Sequence, residues 1–183
     1  MRFLPTAVSG AFVVEVDAYC DERGMFARTF DTRSFADHGL APVYPQCNVS
    51  QSHKRGTLRG MHYQAHPRPE NKLVRATRGR VFDVALDLRR DSPTYLKSAA
   101  VELDAEKHNA FYIPAGCAHG FLTLEDDCRL FYQMSEVYVP ELTRGVRWND
   151  PAFSIQWPFE PVIMNDRDAT YDLYDSGEKS WTP

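Results

Sequence analysis

Residues 81–88 alternate strictly. Phe82, Val84, Leu86 and Leu88 fall on one face of an extended chain, and Val81, Asp83, Ala85 and Asp87 on the other. That period of two predicts a β-strand with one wholly apolar face. Lys72-Leu73-Val74-Arg75-Ala76-Thr77 precedes it, and Arg78-Gly79 between them predicts a hairpin over 72–88. Asp91-Ser92-Pro93 then breaks the chain. Further strands are expected at 11–16 and 58–64, at 111–113 before Pro114 and Gly116, and as a pair at 119–124 and 129–134 turning through Glu125-Asp126-Asp127. Helix signals are few. Thr32 is the expected N-cap of a helix reaching His38, stopped by Gly39 and Pro42, and a second short helix is expected at 166–174. Many short, turn-punctuated strands define an all-β sandwich or barrel, and alternation alone does not separate a jelly roll from other antiparallel sandwiches.

Composition narrows the class. A chain of 183 residues suits one domain over 1–183, with the residues from about 170 as a peripheral tail. Such a domain buries roughly 70% of the surface of its unfolded chain, so it needs no staples. Aromatics at 13% and twelve prolines against ten glycines suit strands joined by rigid turns. A net charge of −4 argues against a nucleic-acid polymer as partner, while leaving room for a local basic pocket. The four cysteines, Cys20, Cys47, Cys117 and Cys128, form no C-x-x-C pair. With no apolar leader at the start and no apolar run of 18 residues, the expectation is a soluble cytoplasmic protein with reduced thiols and no membrane partner.

Several residues have the chemistry of a site. In Leu58-Arg59-Gly60-Met61-His62-Tyr63-Gln64, regular alternation puts His62 on a face with Leu58, Gly60 and Gln64 and points Arg59 the other way. The glycine beside His62 leaves room for something to approach. Lys72 opens an apolar strand; a lysine there guards an edge or points inward to stabilise an oxyanion. His119 follows the turn Pro114-Ala115-Gly116 and precedes Gly120, which permits close ligand approach. Tyr132 and Tyr138 are each either core aromatics or proton donors. Asp166 and Asp168 are either surface charges or carboxylates that orient a histidine. No H-x-H pair, H-E-x-x-H, EF-hand loop or Gly-rich phosphate loop occurs, so no metal is predicted and any phosphate falls to Arg and Lys side chains.

Taken in order, these segments resemble the dTDP-4-dehydrorhamnose 3,5-epimerases. The matching stretches include Asp21-Glu22-Arg23-Gly24, Gln46-Cys47-Asn48, Leu58–Gln64, Lys72-Leu73-Val74-Arg75, Asp91-Ser92-Pro93-Thr94, Ile113–Phe121, Arg147-Trp148-Asn149-Asp150-Pro151 and Asp168, in family order from about residue 5 to 170. The resemblance implies a cupin-type jelly-roll barrel with a few short helices, no metal or other cofactor, and a homodimer made by strand exchange. It implies a small-molecule partner, dTDP-4-dehydro-6-deoxy-D-glucose, inverted at C3 and C5 in dTDP-rhamnose biosynthesis. His62 aligns with the general base, Asp168 with its orienting carboxylate, Tyr132 with the acid on the opposite face and Lys72 with the residue near the C4 carbonyl. Arg23, Arg59 and His119 align with diphosphate and sugar contacts, Gln46 and Asn48 with nucleotide contacts, and Tyr138 with a pocket aromatic.

The residue types suit that chemistry independently. A proton α to a ketone needs a base of near-neutral pKa, an enolate oxygen needs a cation in a dry pocket, and inversion needs a donor on the far face. The chain departs from the common pattern at Arg28 for Glu, Cys47 for Asp, Thr143 for an acidic residue and Arg167 for Lys. Arg28, counted with the substrate contacts, and Cys47 lie beside the nucleotide motifs, so a different base stays open there. Inversion at C3 alone or C5 alone, a non-catalytic sugar-nucleotide binder and a metal-dependent cupin oxygenase are the competing readings.

Overall fold

The structure, a computed structural model, describes residues 1–175. In chain order the strands are β1 (Arg2–Pro5), β2 (Phe12–Glu15), β3 (Ala18–Asp21), β4 (Gly24–Ala27), β5 (Gln46–Ser52), β6 (Leu58–Gln64), β7 (Lys72–Arg78), β8 (Arg80–Asp87), β9 (Ser98–Asp104), β10 (Ala110–Ile113), β11 (Cys117–Thr123), β12 (Cys128–Met134) and β13 (Thr143–Gly145). Helices α1 (Thr32–Asp37) and α2 (Asp166–Thr170) accompany them. Two antiparallel sheets face each other, ordered β1-β2-β10-β7-β12-β5 and β13-β6-β11-β8-β9, and β3-β4 forms a separate hairpin. The expected all-β jelly roll is the fold found.

Two expected pairings are not formed. β7 pairs with β10 and β12, whereas β8 pairs with β11 and β9, so 72–88 is not a hairpin. β11 pairs with β6 and β8, whereas β12 pairs with β5 and β7, so 119–134 is not one either. In both places the chain reverses and passes to the opposite sheet. A glycine turn reverses the chain in either topology; ladder partners far away in sequence decide which sheet each strand joins. Gly79, at φ +70°, makes the first of these turns.

The alternation seen in the sequence is present, with an unexpected polarity. Phe82, Val84, Leu86 and Leu88 face outward and pack with Met61, Tyr63, Ala118, Val146, Phe153 and Trp157 under the C-terminal segment. The mixed face is the inner one: Val81 and Ala85 join Val74, Ala76, Phe111, Ile113, Phe121 and Leu130 between the sheets. A third cluster, around Phe35, Leu40, Leu73 and Tyr112, covers the outside of the other sheet. The N-cap of α1 is Asp31, whose carboxylate accepts from the Ser34 N–H at 2.8 Å, so Thr32 is the first helical residue. Asn165 caps α2, which stops at Thr170 rather than 174 because Tyr171 is extended. Tyr174 donates its N–H to Asp150 and shares a hydroxyl hydrogen bond of 2.7 Å with Tyr95. The rest of the expected tail, 176–183, lies outside the described residues.

Candidate active site

A cavity of about 350 Å³ opens between the sheets, where β6 and β11 face β12 and β5. That is within the range of small-molecule sites. It is lined by His62, Lys72, Tyr132, Asp168, Arg59, His119, Gln46, Asn48 and Tyr138. The residues singled out from sequence therefore meet there, except Arg23, Arg28 and Asp166. Arg23 pairs with Asp21 on the β3-β4 hairpin, and Arg28 pairs with Asp31 at 2.8 Å; both guanidiniums are well exposed.

Arg59 and His62 share the cavity wall, against the expectation that they point apart. Their partners in β11 are Phe121 and His119, so three steps along β6 match two along β11. The extra residue is a β-bulge at Gly60-Met61, which restores Arg59 to the inner side. Gly60 has φ +134°. A Cβ placed on it would collide with the Gly120 Cα and lie 2.9 Å from the His119 carbonyl oxygen. What approaches Gly60 is thus the β11 backbone rather than a ligand, and Gly120 is the matching gap on the other strand. Gly60→Ala is expected to cost about 2–4 kcal/mol through backbone strain and overpacking. Urea unfolding measures it, and an unchanged midpoint would show that the crossing tolerates a methyl group.

His62 lies 2.7 Å, Nε2 to Oδ1, from Asp168, which is fully buried. The carboxylate accepts, so Nε2 carries the hydrogen and Nδ1 holds the free lone pair. The other Asp168 oxygen accepts from the Gly60 N–H at 3.0 Å, tying the dyad to the bulge. Asn165 holds the Asp168 N–H at 2.7 Å, and Arg147 donates to the Ala169 carbonyl at 3.1 Å. Burial pushes the Asp168 carboxyl up, but the hydrogen bond and charge of His62, the Gly60 N–H and Arg167 outweigh it and hold it below the ordinary aspartate range. It is a carboxylate throughout the neutral range.

Lys72 is buried, not guarding an edge. Its ammonium lies 2.8 Å from Glu70 and donates to the His62 carbonyl at 3.3 Å. Across the cavity from His62, on the strand next to that of Lys72, Tyr132 is half-buried, its ring edge-to-face with His119 at 5.8 Å between centroids. Burial and the nearby Asp83 push the Tyr132 phenol up, only partly offset by Arg59 and Ser50. The phenol therefore keeps a proton to give. Arg59 reaches the mouth, donating to the Gln51 carbonyl at 3.0 Å. Gln46 accepts from the Tyr138 N–H at 2.9 Å and donates to Asn48 at 3.3 Å, which positions the rim.

Sequence reasoning missed Asp83 and Glu70. His119 donates from Nε2 to Asp83 at 2.6 Å, and both are buried. Burial pushes the Asp83 carboxyl up against the opposing pull of His119 and Lys72. A charged residue at the centre of an otherwise apolar strand was the available signal, because such a group needs a partner. Glu70 sits in a loop with no periodicity to mark it. Among the described residues, no three His, Cys, Asp or Glu side chains converge on a metal-binding set.

The fold and the cavity define a cupin jelly roll whose pocket groups two histidine–carboxylate dyads, a phenol and a buried ammonium, an apparatus for moving protons. Residues 5–175 match the family model for dTDP-4-dehydrorhamnose 3,5-epimerase. The chain is 44% identical over 173 residues to the dTDP-4-dehydrorhamnose 3,5-epimerase of Methanothermobacter thermautotrophicus, covering 93% of this chain and 92% of that one. It superposes with a TM-score of 0.91 and 34% identity on a dTDP-6-deoxy-D-glucose-3,5-epimerase from Legionella pneumophila in complex with dTDP-4-keto-L-rhamnose, covering 100% and 97% of the two chains. A 3'-monoepimerase from Streptomyces bikiniensis in complex with dTDP-quinovose matches with a TM-score of 0.85 and 36% identity, covering 92% and 86%. The chain belongs to the dTDP-4-dehydrorhamnose 3,5-epimerase family and is an isomerase of the epimerase class.

Proposed function

We propose that the protein inverts C3 and C5 of dTDP-4-dehydro-6-deoxy-D-glucose, giving dTDP-4-dehydro-L-rhamnose. The observation that supports this is the placement of His62 and Tyr132 on facing sheets of one cavity, with Lys72 on the same sheet as Tyr132. The C4 ketone acidifies the hydrogens on both neighbouring carbons. His62 takes such a proton on its free nitrogen, and Asp168 steadies the imidazolium that forms. Lys72 donates to the enolate oxygen at C4. Tyr132 returns a proton from the far face, which inverts the carbon. Arg59, at the mouth, receives the diphosphate; Gln46, Asn48 and Tyr138 border the nucleoside end, and His119 contacts the sugar.

The single domain works as a homodimer by strand exchange in this reading. The β3-β4 hairpin supports it, because it stands apart from both sheets with Phe26 77% and Tyr19 69% exposed. A second copy would cover those rings and bring Arg23 and Arg28 to its neighbour's cavity mouth. Four free thiols, Cys20 and Cys47 exposed among them, suit the cytoplasm.

The test is turnover of 4-keto sugars on thymidine, cytidine and guanosine diphosphates in D₂O, followed by NMR at each carbon. Deuterium at both C3 and C5 of the thymidine substrate is expected. Label at C3 alone would favour the monoepimerase reading, which the likeness to the Streptomyces bikiniensis structure keeps in play. Label at neither carbon would sink both.

A further inference from the structure

Lys72 does not enter the cavity as an isolated cation. Its side chain and that of Glu70 are each 8% exposed, and their charged atoms lie 2.8 Å apart. A buried ion pair is costly to desolvate and gives little net stability over apolar packing. Here it stands in the wall of the cavity, with both residues lining it. The ammonium has three hydrogens. One goes to Glu70 and a second, at 3.3 Å, to the His62 carbonyl. The third remains for an oxygen in the cavity.

Glu70 has a competitor. Asp83 lies on β8, in the sheet opposite the one that carries Lys72 on β7, and its partner His119 lines the same cavity. One Asp83 oxygen accepts from His119; the other is buried without a hydrogen-bond partner. The Asp83 oxygen is therefore an alternative berth for the ammonium. A donor meant for an enolate oxygen works only if it is aimed before charge develops, so a lysine free to choose between two carboxylates would lose that advantage.

We propose that Glu70 is a positioning residue of the epimerase reaction, holding the Lys72 ammonium away from Asp83 and aimed at the substrate's C4 oxygen. This rests on the epimerase reading of the cavity.

The experiment is Glu70→Gln, studied alone and in a Lys72→Met background, with a crystal structure of the single variant. Gln keeps the shape and removes the charge. Alone, kcat is expected to fall about 10-fold or more, a fraction of the 10²–10³-fold that loss of an oxyanion donor costs, with KM unchanged. In the Lys72→Met background the same change should have no further effect on kcat, and in the crystal the ammonium should have turned to Asp83. Wild-type kcat in E70Q, an equal fall in both backgrounds, or an ammonium that has not moved would each overturn the proposal. Failure of the epimerase reading is distinguishable, because it appears as a wild-type protein that neither turns over nor exchanges, whatever the position of the ammonium.

Discussion

Replacing His62 by Ala should abolish exchange of solvent deuterium into the substrate and lower turnover by about 10²–10⁴-fold, the range for a lost general base. The side chain remains 29% exposed in the cavity, while its Nε2–H is committed to a buried carboxylate. One other histidine in the cavity has a counter-ion able to steady its conjugate acid. His119 has a similar partner in Asp83, but it is only 6% exposed. Tyr132→Phe supplies the control. It leaves His62 able to remove and return a proton on one face, so deuterium should still wash in while inversion fails. Washout without inversion in Y132F and none in H62A would assign base and acid separately. Near-normal turnover in H62A would remove His62 from the mechanism and point to the His119–Asp83 dyad instead.

The strands were legible because their alternation is local. Leu58–Gln64 and the segments ending at Ile113 and Met134 lie within two residues of their expected positions. Sheet membership was not legible. Gly79 and Asp126 mark reversals, and the same residues serve a hairpin or a crossing between sheets. Nor did alternation say which face of β8 was interior. The wholly apolar row of Phe82, Val84, Leu86 and Leu88 lies under the C-terminal segment, while Asp83 is inside. In a jelly roll covered on its outer faces, the more polar row can be the inner one, because there it lines a site.

The site was legible through residue types in order, not through their geometry. His62, Lys72, Tyr132 and Asp168 took their roles from the resemblance, with residue types that suit the chemistry, and they converge. The bulge that turns Arg59 inward was hidden because regular alternation assumes one residue per partner. Its signal was Gly60 itself, read as room for something to approach, and what approaches is β11. Arg23 aligns with a substrate contact and Arg28 departs from the pattern beside the nucleotide motifs, yet both sit outside the cavity of their own chain; a site shared between two copies, as proposed, would leave no trace in the periodicity of one.

Asp168→Asn should cost turnover nearly as much as loss of the base, about 10²–10⁴-fold, although it changes no volume. The carboxylate accepts two hydrogen bonds, from His62 and from the Gly60 N–H. An amide has one oxygen for these two donors. If the oxygen stays with Gly60, the NH₂ group faces His62 Nε2 and drives the hydrogen to Nδ1, so the lone pair needed for proton abstraction is lost. If it stays with His62, the imidazolium forms without a counter-ion and Gly60 loses its partner. Stability should fall as well, by about 1.5–3 kcal/mol at neutral pH, the worth of a hydrogen bond to a charged group. The pH dependence follows from the direction of the shift. The folded protein holds this carboxyl below its ordinary range. Its stabilisation is therefore full above the unfolded pKa and lost as pH falls through the folded one. The stability gap between wild type and D168N, measured by urea unfolding, should be open at pH 7 and narrow in acid below the ordinary aspartate range. A gap that stays constant down the acid limb would mean that the ionised form of Asp168 stabilises no more than its protonated form does. An Asn variant with full turnover would mean that His62 needs no carboxylate to act as the base.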